Sequence, residues 1–144
     1  MSRPRFLFGF NNEVTTQSAE FQKKLSNTAG KESEITLRVG KANLKSVPGH
    51  YEIVVSEMDS NIGKLRENFG KKAVLVGICR LPGANLEEIH DLISEQKLDF
   101  GLSFEEIDNL VVKIISANQA NMPIETPEQI LRLLVEKAKE RQLQ

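Results

Sequence analysis

Tryptophan is absent and tyrosine occurs once, so a core must be built mainly from Leu, Ile and Val with the seven phenylalanines. A single cysteine, Cys79, excludes an internal disulfide. The only imidazoles, His50 and His90, have no cysteine or second histidine close enough in sequence for metal-ligand spacing, so neither a metal nor a cofactor is expected. No apolar run approaches the ~20 residues that cross a bilayer. Arg3 and Arg5 lead only into Phe6–Phe10, too short for the core of a secretory leader. Charge of one sign is also lacking: 19 Lys and Arg stand against 20 Asp and Glu, a net charge of −1. No global field therefore draws the chain to nucleic acid or to a membrane. The expected compartment is the reducing cytoplasm, with no membrane partner.

What is present is enough chain for one domain. At 144 residues, 40% hydrophobic and 27% charged, it needs no covalent staple to bury a core. We expect a single domain over 1–144, with an α/β sandwich core in 1–83 and a helical part in 84–144. Its most informative stretch is Lys71–Gly83, KKAVLVGICRLPG. The β-branched run Val74–Cys79 reads as a strand, with Val74, Val76 and Ile78 on one face and Leu75, Gly77 and Cys79 on the other. Neither face is polar, so both should be covered. Cys79 within it reads as a small buried hydrophobe, not a reactive thiol.

Arg5–Phe10 predicts a first strand with Phe6, Phe8 and Phe10 on one face. Asn11 and Asn12 are good N-caps for a helix that presents Phe21 and Leu25 and ends by Asn27–Gly30. Glu34–Val39 alternates as a half-buried strand, Ile35, Leu37 and Val39 inward, and Gly40–Gly49 reads as a long hairpin loop. Tyr51–Ser56 predicts a third strand, followed by a short helix stopped at Gly70. Three helices are expected after Gly83, from the cap pairs Asn85/Glu88, Ser103/Glu106 and Thr126/Gln129. Leu102 and Ile107 suit a hydrophobic staple around the second, and Pro127 suits the first position of the third. Within the second, NLVVKIIS at Asn109–Ser116 is β-branched enough to leave a strand as the alternative.

The order strand–helix–strand–strand–helix–strand resembles, in plan alone, the split βαβ arrangement of ferredoxin-like folds. An α+β ferredoxin-like sheet is therefore expected, with the carboxy-terminal helices packed on its second face or extending the domain. That plan sets the most apolar strand at an edge, a tension that a central position would remove. RNA-recognition domains share the plan, but HYEIVVSE lacks their Lys/Arg-Gly-Phe/Tyr pattern, and Phe6, Phe8 and Phe10 read as core.

Two surfaces stand out. A hairpin between the second and third strands would gather Asn11, Asn12, Lys41, Lys45, His50, Lys71 and Lys72 at one end of the sheet, a candidate anion site beside a helix amino terminus. The last helix carries the apolar stripe Ile130, Leu131, Leu134, Val135 and Ala138, which docks either on its own sheet or on a partner. No nucleophile with an adjacent base and no phosphate-binding Gly-x-x-x-x-Gly-Lys-Ser/Thr loop is present, so no catalytic residue is assigned. His90 lies on the shoulder of an apolar stripe and reads as a packed residue. The expected function is that of a non-enzymatic protein-interaction module that self-associates. The alternative is a regulatory domain that binds nucleic acid or an anion through the lysine-rich end.

Overall fold

A strand apolar on both sides needs a layer on each, and Val74–Leu81 obtains both by lying at the middle of a seven-stranded sheet. The computed structural model describes residues 4–10, 15–39, 44, 49–58, 62–81, 86–106, 108–117 and 122–143. In chain order these form β1 (Phe6–Phe10), α1 (Thr16–Glu32), β2 (Ile35–Val39) and β3 (Ile53–Glu57). A 3-10 turn (Ile62–Lys64) then runs into α2 (Leu65–Phe69), followed by β4 (Val74–Leu81) and α3 (Leu86–Ser94). Last come β5 (Phe100–Glu106), β6 (Leu110–Ile115), β7 (Met122–Ile124) and α4 (Pro127–Gln142). The strand order is β2-β1-β3-β4-β5-β6-β7. The pairings from β2 through β5 are parallel, and β6 and β7 are added antiparallel.

The chain is thus mixed α+β, as expected, but the ferredoxin-like plan does not form. The expected hairpin is absent because β2 and β3 both pair parallel to β1, on its opposite sides. The helix expected after Ser103 is a hairpin of β5 and β6, so 84–144 is not a helical part but supplies strands to the same sheet. There, alternation of Phe100, Leu102 and Phe104 and the β-branched Val111, Val112, Ile114 and Ile115 outweigh the cap-like spacing of Ser103 and Glu106. Ile107 lies outside the described residues. The central place of β4 removes the tension that an edge position would have carried.

One face buries Phe6, Phe8, Phe10, Val55, Val76, Ile78, Leu102 and Phe104 beneath α1 and α4. The other buries Leu7, Val54, Leu75 and Cys79 beneath α2 and α3. Stacking of Phe6 on Phe8 at 5.6 Å and of Phe8 beside Phe10 at 5.4 Å fills the core over β1, as their inward parity implies. α1 starts later than its asparagines suggest: Thr15 is the cap, its hydroxyl accepting from the Ser18 N–H at 3.2 Å. It also runs past Gly30 to Glu32. α4 begins as expected at Pro127, with the Gln129 carboxamide oxygen accepting from Thr126 N at 3.2 Å.

The stripe of α4 is used within the chain. Ile130, Leu131, Leu134 and Ala138 are buried in the first core and Val135 packs half-buried against it. The far end of α4 is tied down by Asp99, just before β5. The carboxylate of Asp99 accepts from Leu75 N at 2.8 Å, Arg66 Nη2 at 2.9 Å and Arg141 Nη1 at 3.1 Å, and pairs again with Arg141 Nη2. Both guanidinium groups also donate to the Ala73 carbonyl, at 2.6 and 2.8 Å. This clasp joins α2, β4, β5 and α4 at the amino edge of the sheet.

On the opposite face, Gly77 and Gly101 sit side by side on β4 and β5 and let α3 approach. A Cβ at Gly101 would lie 2.8 Å from Ile89 Cδ1, and one at Gly77 would lie 3.0 Å from Leu98 Cδ1. We expect Gly101→Ala to cost about 1–3 kcal/mol by overpacking, exceeding the ~0.5–1 kcal/mol gained by removing a strand glycine. Ile89→Val, which deletes the clashing Cδ1, should recover part of that loss. Urea denaturation of the two single variants and the double variant measures the coupling.

Candidate functional site

Parity along a strand decides which face its last residue shares. On β3, β4 and β5 the inward face ends in a charge each time: Val55 is followed by Glu57, Ile78 by Arg80 and Phe104 by Glu106. In register, Glu57 lies opposite Ile78, and Arg80 opposite Phe104. Each charge is thus two residues beyond the partner of the one before it. The result is a diagonal row, minus–plus–minus, across the carboxyl ends of three neighbouring parallel strands.

The row is largely sheltered, its side chains being 11% (Glu57), 22% (Arg80) and 19% (Glu106) exposed. Arg80 Nε donates to both oxygens of Glu57 at 3.2 Å, and Nη2 donates to Oε1 as well. Gln22 of α1 donates from Nε2 to Glu57 Oε1 at 3.4 Å. The guanidinium lies over the Phe104 ring at 5.0 Å, and Phe21 meets that ring edge-on at 5.5 Å. Glu57 is therefore held in place by its neighbours. Arg80 is oriented by a carboxylate on one side and an aromatic face beneath it.

The other end of the row is open in hydrogen-bonding terms. Arg80 Nη1 and Glu106 Oε1 stand 3.9 Å apart, and neither has a hydrogen-bond partner although both atoms are buried. Ser18, one turn before Gln22 on the buried face of α1, is fully buried with an unpartnered Oγ. Arg80 Nη1 and Glu106 Oε1, an ion pair too long for a hydrogen bond, and Ser18 Oγ on the helix that also supplies Gln22 thus lack hydrogen bonds, where most buried polar atoms in proteins are paired.

The sequence-derived anion site fares differently. Asn11, Asn12, Lys41 and Lys45 lie outside the described residues. β1 and β2 end at the carboxyl edge, whereas His50, Lys71 and Lys72 precede β3 and β4 at the amino edge, so the parallel pairing separates the strand ends that a hairpin would have joined. His50 is solvent-exposed, with Nε2 3.9 Å from Glu52 Oε1. Lys71 and Lys72 are exposed too. Lys71 borders a groove of about 820 Å³ together with Lys97, Lys137, Arg66 and Arg141, but Asp99 and backbone carbonyls occupy both arginines. His90 is exposed on α3 rather than packed.

Among the described residues, no group of three or more His, Cys, Asp or Glu is arranged to hold a metal ion, and no helix is long and apolar enough to cross a membrane. Glu57, Arg80 and Glu106 do not stand out locally in the sequence, because strand-flanking charges are usually solvated and the Ser103/Glu106 spacing fits a helix cap. The legible signal was the repeated parity, an inward apolar series ending in a charge of alternating sign. No protein-family model matches the chain, and no curated protein matches it.

Cys79, next to Arg80 in sequence, faces the opposite core and is buried. Burial raises its thiol pKa above the ordinary value, and the negative charge of Glu88 raises it further. Thiolate is therefore scarce in the folded protein until the pH is well above neutral. Labelling by a disulfide reagent at about pH 8 should be slow in the native protein and rapid once urea unfolds it. Equal rates in the two states would show that Cys79 is not packed beneath α3.

Proposed function

We propose that the chain is a binding domain that seats a small polar ligand at the carboxyl edge of its sheet, without transforming it. The observation that carries this reading is that three of the four buried, unpartnered side-chain atoms among the described residues, Ser18 Oγ, Arg80 Nη1 and Glu106 Oε1, belong to the carboxyl-edge half of the chain's elements, the fourth being Arg5 Nε before β1. Open parallel sheets take ligands outside the carboxyl ends of their strands, where the strand order reverses. In the doubly wound order β2-β1-β3-β4-β5 that point lies between β1 and β3, beside Glu57, with Arg80 and Glu106 on the next two strands. That analogy concerns position only, since folds of this kind host many functions. The chemistry comes from the residues. Glu106 asks for a donor, Arg80 for an acceptor, and Ser18 takes either. Paired hydroxyl groups, as on a ribose, satisfy all three kinds of demand, whereas a bare anion would oppose the two carboxylates. A binding role rather than a catalytic one is supported by the site's composition. Glu57 and most of Arg80 are already committed to each other, and the one thiol faces away.

Self-association, expected from the terminal helix, loses that support because the apolar stripe of α4 is buried in the chain's own core. If the chain pairs with itself, another surface must serve.

The test is isothermal calorimetry of the whole chain against adenosine, AMP, ATP, NAD and ribose 5-phosphate, with Glu106→Gln in parallel. We expect at least one ribose-bearing compound to bind saturably. Glu106→Gln should weaken that compound roughly tenfold to a hundredfold, the loss of one hydrogen bond to a charged group. Absence of saturable binding by every compound, or equal binding by Glu106→Gln, overturns the reading.

A further inference from the structure

The two edges of the sheet are protected unequally. β7 is three residues long and has Pro123 at its centre, which lacks an amide donor and blunts pairing with another strand. β2, at the opposite edge, is five residues of unbroken strand, ITLRV, with neither proline nor an inward charge. Its apolar side was expected to face inward throughout. Only Ile35 is packed against the core, while Leu37 is 46% and Val39 60% exposed. Among the described residues no strand pairs with the outer side of β2, and an edge with two exposed aliphatic side chains is a template for a further strand.

We infer that this further strand is β2 of a second copy, paired antiparallel about a twofold axis at Leu37. The inference is independent of the ligand site. Its basis is that the strand is complementary to itself in this register. Leu37 faces the partner's Leu37, and Ile35 faces the partner's Val39, so the apolar residues of both copies meet on one face. On the other face Thr36 lies opposite the partner's Arg38, and Glu34 falls diagonal to it, within reach of an ion pair. Glu34 meets Arg5 of its own chain at 3.3 Å, yet its side chain remains 82% exposed and has an oxygen to spare. A slip of two residues towards the carboxyl end would set Arg38 against the partner's Arg38, which like-charge repulsion disfavours. A slip of two towards the amino end would set Glu34 against the partner's Arg38 but leave the exposed Val39 opposite Ser33. Only the register centred on Leu37 therefore pairs all three aliphatic residues with one another. The product is a continuous sheet in which each copy closes the other's open edge.

Sedimentation equilibrium of the full chain, with Leu37→Lys and Arg38→Glu variants, tests the pairing. We expect the wild type to be a dimer. Leu37→Lys should be a folded monomer, its circular dichroism unchanged because position 37 is already half exposed. Arg38→Glu should shift the equilibrium towards monomer by setting it near the partner's Glu34. In a Cys79→Ala background, Leu37→Cys should form an inter-chain disulfide on mild oxidation, faster than Thr36→Cys. A wild type that stays monomeric at the highest soluble concentration overturns the inference, as does a dimer that Leu37→Lys leaves intact. Faster cross-linking through Thr36→Cys would reject the register centred on Leu37.

Discussion

β4 has no polar side, and the rest of the architecture answers to that. Val74, Val76 and Ile78 require a layer on one face, and Leu75 and Cys79 require another, so the strand must be flanked by neighbours and roofed twice. The chain meets the requirement by parallel crossovers. α1 and α4 cover one face, while α2 and α3 cover the other. Placing Gly77 beside Gly101 then lets α3 settle close to the sheet, with Ile89 filling the space over Gly101 and Leu98 and Met58 that over Gly77. The chain is large enough to fill both cores with aliphatic groups and a few phenylalanines, and its single cysteine contributes to one of them as a packed side chain.

The two ends of this sheet treat their buried charge differently. At the amino edge Asp99 is saturated: two arginines and a main-chain amide converge on one carboxylate, and the arginines satisfy carbonyl groups besides. The Asp99 clasp leaves none of its own charge unpaired, although Arg5 Nε elsewhere on this edge lacks a hydrogen bond, and the outcome is structural, a tie between α2 and the end of α4. At the carboxyl edge Glu57 is likewise satisfied, but Arg80, Glu106 and Ser18 retain unfilled capacity. Leaving buried polar atoms unpaired costs free energy. A fully bonded clasp stabilises the fold, whereas a half-bonded row suits a partner that completes it.

How much of this was legible in the residues depended on the range of the interaction. VLVGIC declared itself as a strand covered on both faces, and Thr126, Pro127 and Gln129 marked the start of α4, because these signals are local. Strand order is not local. Ile35, Leu37 and Val39 alternate as a half-buried strand would, yet the exposure of Leu37 and Val39 follows from β2 being last in the sheet, which its own residues do not state. Ser103 and Glu106 imitate a helix cap, and the competing local alternation of Phe100, Leu102 and Phe104 prevails where β5 pairs with both β4 and β6. The charged row was hidden because strand order is not local. Glu57, Arg80 and Glu106 are separated by more than twenty residues in each step and become neighbours only when three parallel strands are laid side by side.

Amide hydrogen exchange across the sheet tests the central place of β4 most directly. If β4 lies between β3 and β5 under two helical layers, the amides of Leu75–Ile78 exchange only through global unfolding, at the slowest rate in the chain. Those of β7 at the proline-bearing edge exchange faster. Rapid exchange along Leu75–Ile78, or protection of β7 equal to that of β4, would contradict the two-layered sheet and, with it, the alignment of Glu57, Arg80 and Glu106 at its carboxyl edge.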